Sequence, residues 1–259
     1  MNERELRRTL LDLPLGGIRY YDQIGSTNDV ALAWAAEGAA DLALVVADEQ
    51  TAGRGRFGRK WVTPPGTALA FSLVLRPAAE EAESVVLFSA LGALAIASTL
   101  EEKYGLAPEI KWPNDVLVRG RKVSGILAET VWLGSRTESV VLGIGLNVLA
   151  EAVPAVESLN FPAISLETAT GQSIDRLPLL HDILAALIAW RPRLGSGEFI
   201  QAWEDRLAFR GERVQVWAEN RLVGAGQVEG LDRDGGLRLR SPEGEVFSVR
   251  FGEVHLRPV

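Results

Sequence analysis

The chain has 259 residues, 47% hydrophobic and 24% charged, with a formal net charge of -7 and an isoelectric point near 5.1. This composition suits a folded protein with one large domain, or a large and a small one, and excludes a disordered chain. The acidic balance speaks against a general nucleic-acid or anionic-membrane binder. With no cysteine and only His181 and His255 as histidines, disulfides, thiolate catalysis, zinc–cysteine centres and His-rich metal sites are excluded. Cysteine-free composition is compatible with the cytoplasm, the expected compartment.

Residues 1–13 are charged and short, enough for one helical turn or a frayed arm but too few for a helix-turn-helix module. Residues 1–17 lack the basic–apolar–small order of a signal peptide. Ile18 to Asp22 reads as the first strand. Gly25-Ser26-Thr27-Asn28-Asp29 leads into a helix over Val30 to Ala36. Ser26 or Thr27 suits the N-cap, and the same hydroxyls at a helix N-terminus suit a polar ligand group. Leu42 to Asp48 is an apolar run of strand length.

That run delivers the chain into Gln50 to Trp61, where Gly53, Gly55 and Gly58 alternate with Arg54, Arg56 and Arg59, and Lys60 follows. No Asp or Glu occurs from Thr51 through Ala79. Glycine frees the backbone to approach a ligand. Arginine supplies forked, permanently charged donors that match carboxylate and phosphate oxygens. The block reads as a mobile loop that closes over an anion, or as a solvated basic loop or RNA-binding tail.

Pro64-Pro65-Gly66 makes a turn into a strand over Thr67 to Leu75. Ser84 to Tyr104 is a long helix stopped by Gly105. Its apolar run, Val85 to Leu100, falls short of the ~20 residues of a membrane span. Glu109 to Trp112 is extended, and Lys111-Trp112-Pro113-Asn114-Asp115 sets a cation, an amide and a carboxylate on one turn. Val116 to Val118 and Val123 to Trp132 are strands joined by a tight turn at Arg119-Gly120-Arg121. Ser139 to Val148 is another, whose Gly143 and Gly145 suggest a bulge or a close approach by a ligand or a backbone. Leu149 to Thr170 reads as irregular. Ile174 to Trp190 and Glu198 to Phe209 read as helices. Short alternating segments then follow, Val214–Trp217, Gly226–Val228, Leu237–Leu239 and Val246–Val249, the pattern of a small β-barrel. The boundary falls near Phe209, dividing residues 1–209 from 210–259.

The order Gly25-Ser26-Thr27-Asn28, Gln50, Gly53 to Trp61, Lys111 to Asp115, Lys122-Val123-Ser124-Gly125-Ile126-Leu127 and Gly143-Ile144-Gly145-Leu146-Asn147 resembles biotin–protein ligase. The likeness spans nearly the whole chain, in the form of the family that lacks an N-terminal helix-turn-helix. It implies an α+β fold: a mixed β-sheet with helices, like the catalytic domains of class II aminoacyl-tRNA synthetases and biotin ligases, followed by a small SH3-like β-barrel.

The resemblance also implies two half-reactions. Biotin and Mg-ATP give biotinyl-adenylate and pyrophosphate. A lysine of an acceptor, the biotin carboxyl carrier domain of a carboxylase, then attacks the adenylate. ATP, Mg²⁺ and biotin are thus expected as substrates and activator, with no tightly bound prosthetic group. By the resemblance, Ser26, Thr27, Asn28 and Gln50 surround the ureido ring, and Gly125 lies in the substrate site. Arg54, Gly55 and Arg56 line the carboxylate and later the phosphate, and Lys122 contacts the carboxyl or phosphoryl oxygens. Lys111 and Asn147 lie near the nucleotide. Trp61 either stacks near the adenine or packs in the core, since both use the same apolar face. Lys122, Arg56 and Lys111 are the expected catalytic cations.

The residues suit this chemistry by themselves. A carboxylate attacking a phosphate brings two anions together, so cations must screen them. Mg²⁺ on phosphates wants one or two carboxylates, and Asp115 is the candidate. An acyl-adenylate must be kept from water, which a closing loop does. No DNA or membrane partner is expected, and a homodimer is a possibility carried from relatives. The alternatives are a non-catalytic biotin sensor on the same scaffold, a lipoate-ligase-like enzyme and a Gly/Arg RNA binder.

Overall fold

In the computed structural model, residues 1–78, 81, 87–133, 136–153, 161–218, 221–250 and 254–258 are described. Strands β1 (Gly17–Ile24), β2 (Ala43–Gln50) and β3 (Ala68–Leu75) form one half of a seven-stranded sheet. Strands β4 (Pro108–Lys111), β5 (Asp115–Val118), β6 (Arg121–Leu133) and β7 (Arg136–Asn147) form the other. The order is β1-β2-β3-β7-β6-β5-β4, with β1 and β2 parallel and every other pair antiparallel. β3 is apolar at every position but Ser72 and buried at every position, as expected of a strand covered on both faces.

Side chains alternate between faces along each strand, and the two faces carry different cover. Ala43, Val45, Val74 and Val141 pack with Ala31 and Ala35 of helix α2 (Thr27–Ala36). Leu44, Val46, Phe71, Leu73 and Leu142 belong to the main core with α3 (Phe88–Tyr104) and α5 (Arg176–Trp190). α3 ends where Gly105 takes φ 61°, as its sequence requires; the expected start at Ser84 lies outside the described residues. The N-terminal residues form a docked helix, α1 (Glu3–Thr9), with Leu6 and Leu10 buried. Arg119 and Gly120, at φ 54° and 68°, make the tight β5–β6 turn, both in the left-handed region of a two-residue hairpin.

Three expectations need correction. The stretch from Leu149 to Thr170 contains a 3-10 turn at Ala150–Ala152 and a short helix, α4 (Leu166–Thr170). Ser165 Oγ starts that helix by accepting from Thr168 N at 3.2 Å, a cap hidden in the sequence by the Pro-containing run before it. The helix expected to reach Phe209 is α6 (Gly197–Glu204) and stops early. Its continuation instead pairs with β4: Ile110 N donates to Arg206 O at 2.6 Å and Ala208 N to Ile110 O at 3.0 Å. A fifth strand joins the expected four in the C-terminal SH3-like barrel. These strands, β8 (Arg213–Ala218), β9 (Arg221–Leu231), β10 (Leu237–Arg240), β11 (Val246–Val249) and β12 (Val254–Pro258), are antiparallel in the order β11-β10-β9-β8-β12. The barrel is tied to the large sheet where the buried Trp112 indole donates to Gly235 O at 2.9 Å. No helix among the described residues is long and apolar enough to cross a membrane.

Candidate active site

One cavity lies over the middle of the seven-stranded sheet, where the N-terminus of α2, the Gly/Arg loop and strands β5 to β7 meet. Ser26 occupies the N-cap position of α2, yet its side chain makes no capping bond; the residue lines the cavity. The cap is supplied from β2. Gln50 Oε1 accepts from Thr27 N at 2.8 Å and from Thr27 Oγ1 at 3.1 Å, satisfying an amide that the first helical turn leaves without a partner. Gln50 Nε2 in turn donates to Thr63 Oγ1 at 3.3 Å. Asn28 is buried, with Nδ2 donating to Glu129 Oε2 at 2.7 Å and Leu127 O at 3.3 Å. Ser72 Oγ sits beneath, 2.6 Å from Asn28 Oδ1 and 2.8 Å from Thr27 Oγ1. Ser26, Thr27, Asn28 and Gln50 thus make a polar end fixed by its own hydrogen bonds.

The other end is cationic. Lys122 Nζ is 2.6 Å from Asp115 Oδ1, in a pair more than three-quarters buried on both sides, with side-chain exposures of 23% and 12%. Lys111 Nζ lies 4.1 Å from the centre of the Phe161 ring. Arg56 Nη1 donates to Asn114 Oδ1 at 3.1 Å, and its guanidinium lies 5.0 Å from the Phe57 ring. Lys60, Lys111 and Lys122 all line the cavity and are three of the chain's four lysines. The fourth, Lys103, lies in α3, 3.8 Å from Asp182 Oδ2.

The Gly/Arg loop bridges the two ends as a small closed hairpin. Gly55 N donates to Arg59 O at 2.8 Å, Trp61 N to Gly53 O at 2.9 Å, and Ala52 N to Gly25 O at 2.8 Å. Phe57 and Gly58 turn the tip at φ 60° and 69°. The Arg54 guanidinium is engaged by Glu129 at 3.0 and 2.7 Å, and by Asp29 at 2.7 Å. The hydrogen bond that Arg54 donates to Glu129 leads in holding the Arg54 pKa above its ordinary value.

Gly143 and Gly145 mark no bulge: β7 keeps regular register with β3 and β6 through both. Each instead makes room for a cavity side chain. A Cβ on Gly143 would sit 2.7 Å from Asn28 Cγ, and one on Gly145 would sit 2.7 Å from Trp61 Cζ2. The Trp61 indole therefore lies against bare backbone, with Gly125 also beneath it and Lys122 Nζ 5.7 Å from its ring centre. Its buried Nε1 has no hydrogen-bond partner among the described residues.

Twelve expected site residues converge on this cavity: Ser26, Thr27, Asn28, Gln50, Arg54, Gly55, Arg56, Trp61, Lys111, Asp115, Lys122 and Gly125. Asn147 does not line it; it is buried at the end of β7 with Nδ2 3.3 Å from Ile164 O. Ser72 and Glu129 were not expected here, and Asn114, expected only as the amide of the Lys111–Asp115 turn, also holds Arg56. Ser72 carried a signal, as the lone polar residue of an apolar strand. The described residues hold no cluster of three His, Cys, Asp or Glu that would enclose a metal. Asp115 is the cavity carboxylate that would hold Mg²⁺, an ion that needs only one or two protein carboxylates beside substrate phosphates.

A mixed sheet carrying such a cavity, with a small barrel behind it, defines the class: residues 20–147 match the biotin/lipoate A/B protein ligase family. The chain is 39% identical over 225 residues to the biotin–[acetyl-CoA-carboxylase] ligase of Paracoccus denitrificans, covering 85% of this chain and 92% of that one. It is 34% identical over 255 residues to the bifunctional ligase/repressor BirA of Bacillus subtilis, covering 96% of this chain and 78% of the relative. The structure of the biotin protein ligase from Aquifex aeolicus in complex with biotin and ATP superposes with a TM-score of 0.81 at 30% identity, covering 94% of this chain and 99% of that one. The chain belongs to the biotin–protein ligase family of enzymes.

Proposed function

We propose that this protein activates biotin to biotinyl-5'-adenylate and transfers the biotinyl group to a lysine of a carboxylase biotin carrier domain. The observation that carries the reading is the cavity lining: a prearranged set of hydroxyls and amides shares one cavity with a cationic group. Ser26, Thr27, Asn28 and Gln50 match a neutral ureido ring, which needs both donors and acceptors. The biotin carboxylate then lies toward Lys122 and Arg56. Its oxygen attacks the nucleotide α-phosphorus, a C–O–P anhydride forms, and pyrophosphate leaves. Lys122, Arg56 and Lys111 hold the negative charge that gathers in this step. Mg²⁺ bound at Asp115 would add charge neutralisation at the phosphates. Trp61 offers an indole face to the adenine. In the second step the carrier amine attacks the acyl carbon, an amide forms, AMP leaves, and the amine proton passes to solvent.

We place the division between catalytic and barrel domains near Phe209. The net charge of -7 supports a reading without DNA. The similarity to the Paracoccus denitrificans and Aquifex aeolicus proteins, both called biotin ligases, favours biotin over lipoate. Biotin-dependent exchange of labelled pyrophosphate into ATP tests the first step. Exchange with lipoate in place of biotin would favour the lipoate reading, and biotin binding without exchange would favour a sensor.

A further inference from the structure

We propose that Glu129 is a positioning residue that latches the Gly/Arg loop to the polar end of the cavity by holding Arg54 and Asn28 at once. The proposal rests on the biotin-activating reading of the cavity and assigns a division of labour within it. Glu129 lies on β6, and Arg54 meets it as a fork: Nη1 to Oε1 at 3.0 Å and Nη2 to Oε2 at 2.7 Å. A two-bond guanidinium–carboxylate contact fixes the plane as well as the distance. Oε2 also accepts from Asn28 Nδ2 at 2.7 Å. An ionised carboxylate only accepts, so it holds the amide with its nitrogen toward β6. Oδ1 is thereby left to Ser72, whose hydroxyl alone would accept either orientation.

Asp29, at the start of α2, brings a second carboxylate to 2.7 Å from Arg54 Nη2. It is the lesser partner: its side chain is 59% exposed against 26% for Glu129, and exposed pairs are weak. With Arg54 held this way, its charge is met by residues of the protein itself. Arg56, whose Nη1 is held by the neutral Asn114 amide, is the loop arginine assigned to the phosphate end. Ring recognition and loop placement then become one event, because the carboxylate that orients Asn28 also docks the loop.

The test uses the full chain with Glu129→Gln, Glu129→Asp and Asp29→Asn. Glu129→Gln keeps the size of the side chain and removes the charge. In pyrophosphate exchange it should raise the KM for biotin at least tenfold with kcat within threefold, and speed release of biotinyl-adenylate at least tenfold. Glu129→Asp should recover part of both losses, and Asp29→Asn should change each by less than threefold. Wild-type values for both quantities in Glu129→Gln would overturn the proposal. So would equal losses in KM and kcat that Glu129→Asp does not relieve, which is the mark of general damage. Hydrogen exchange across residues 51–60, without ligand, separates this idea from the biotin reading. If wild-type protein catalyses no exchange, the functional reading fails; faster hydrogen exchange in Glu129→Gln still supports the latch, and unchanged exchange overturns it.

Discussion

Gly145→Ala should cost nucleotide binding while sparing biotin binding, and Gly143→Ala should do the reverse. A methyl group at Gly145 would stand 2.7 Å from Trp61 Cζ2, and one at Gly143 would stand 2.7 Å from Asn28 Cγ; neither gap admits a carbon. Something must move, and β7 is the stiffer side, paired in register along both edges with β3 and β6. Trp61 sits in a loop held by few backbone bonds, so the indole yields and the fold stays. Overpacking of this kind costs about 1–3 kcal/mol, equivalent to roughly 5- to 150-fold in affinity. For Gly145→Ala we expect the KM for ATP to rise within that range and the Kd for biotin to change less than threefold. For Gly143→Ala the biotin Kd should rise in the same range with the KM for ATP nearly unchanged. Pyrophosphate exchange gives the first quantity and calorimetry the second. If both variants raise both quantities equally, the cavity is not divided as described and Trp61 is not at the nucleotide end.

Lys122→Ala should slow adenylate formation about 10²–10³-fold, the size of effect seen when a preorganised charge donor is lost; single-turnover formation of biotinyl-adenylate at the wild-type rate would refute its role. Hydrogen exchange across residues 51–60 should slow on adding biotinyl-adenylate. The loop's own bonds among Gly53, Gly55, Arg59 and Trp61 set a measurable starting protection, and equal protection in both states would mean the loop is already fully placed. His181 gives a pH signature away from the site. Its Nε2 is 3.1 Å from Asp12 Oδ2 and its Nδ1 3.3 Å from Asp182 Oδ1, and the bond to Asp12 leads in raising its pKa above 6.5. A raised folded-state pKa means the stabilisation is complete below the unfolded value of 6.5 and is lost as pH climbs through the folded value. The thermal midpoint of the wild type should therefore fall toward that of His181→Gln as pH rises above neutrality, and a constant difference would refute the assignment.

Much of the architecture is written in local patterns. Apolar runs found β2 and β3, Gly105 ended α3, and Arg119-Gly120 turned the β5–β6 hairpin. The site was legible where residues adjacent in sequence act together, as in Ser26 to Asn28 or Lys111 to Asp115. It was not legible where the partner is distant. Arg54 reads from sequence as a cation for substrate, but Glu129, its carboxylate partner, stands 75 positions away in sequence and gives no local hint. Gly143 and Gly145 read as a bulge or as a close approach by a ligand or a backbone, because the side chains they admit, Asn28 and Trp61, arrive from other elements. Asn147 belongs to the same run as those glycines, yet one strand end removes it from the cavity. β12 was missed because its five residues, Val254–Pro258, end in a proline that local patterns disfavour in a strand.

The distribution of lysine gives the protein an unusual chemical address. Its basic side chains are overwhelmingly arginine, which acylating reagents pass over, and three of the four lysines stand around one cavity. An amine-reactive ester applied to the native protein therefore has few targets besides the cavity: Lys103 and the amino terminus. Lys103 serves as an internal reference, since it sits on α3 beside Asp182 and does not line the cavity. Mass spectrometry of the labelled peptides, normalised to Lys103, turns a non-specific reagent into a footprint of the cavity, read at Lys60 on the loop, Lys111 at the end of β4 and Lys122 on β6.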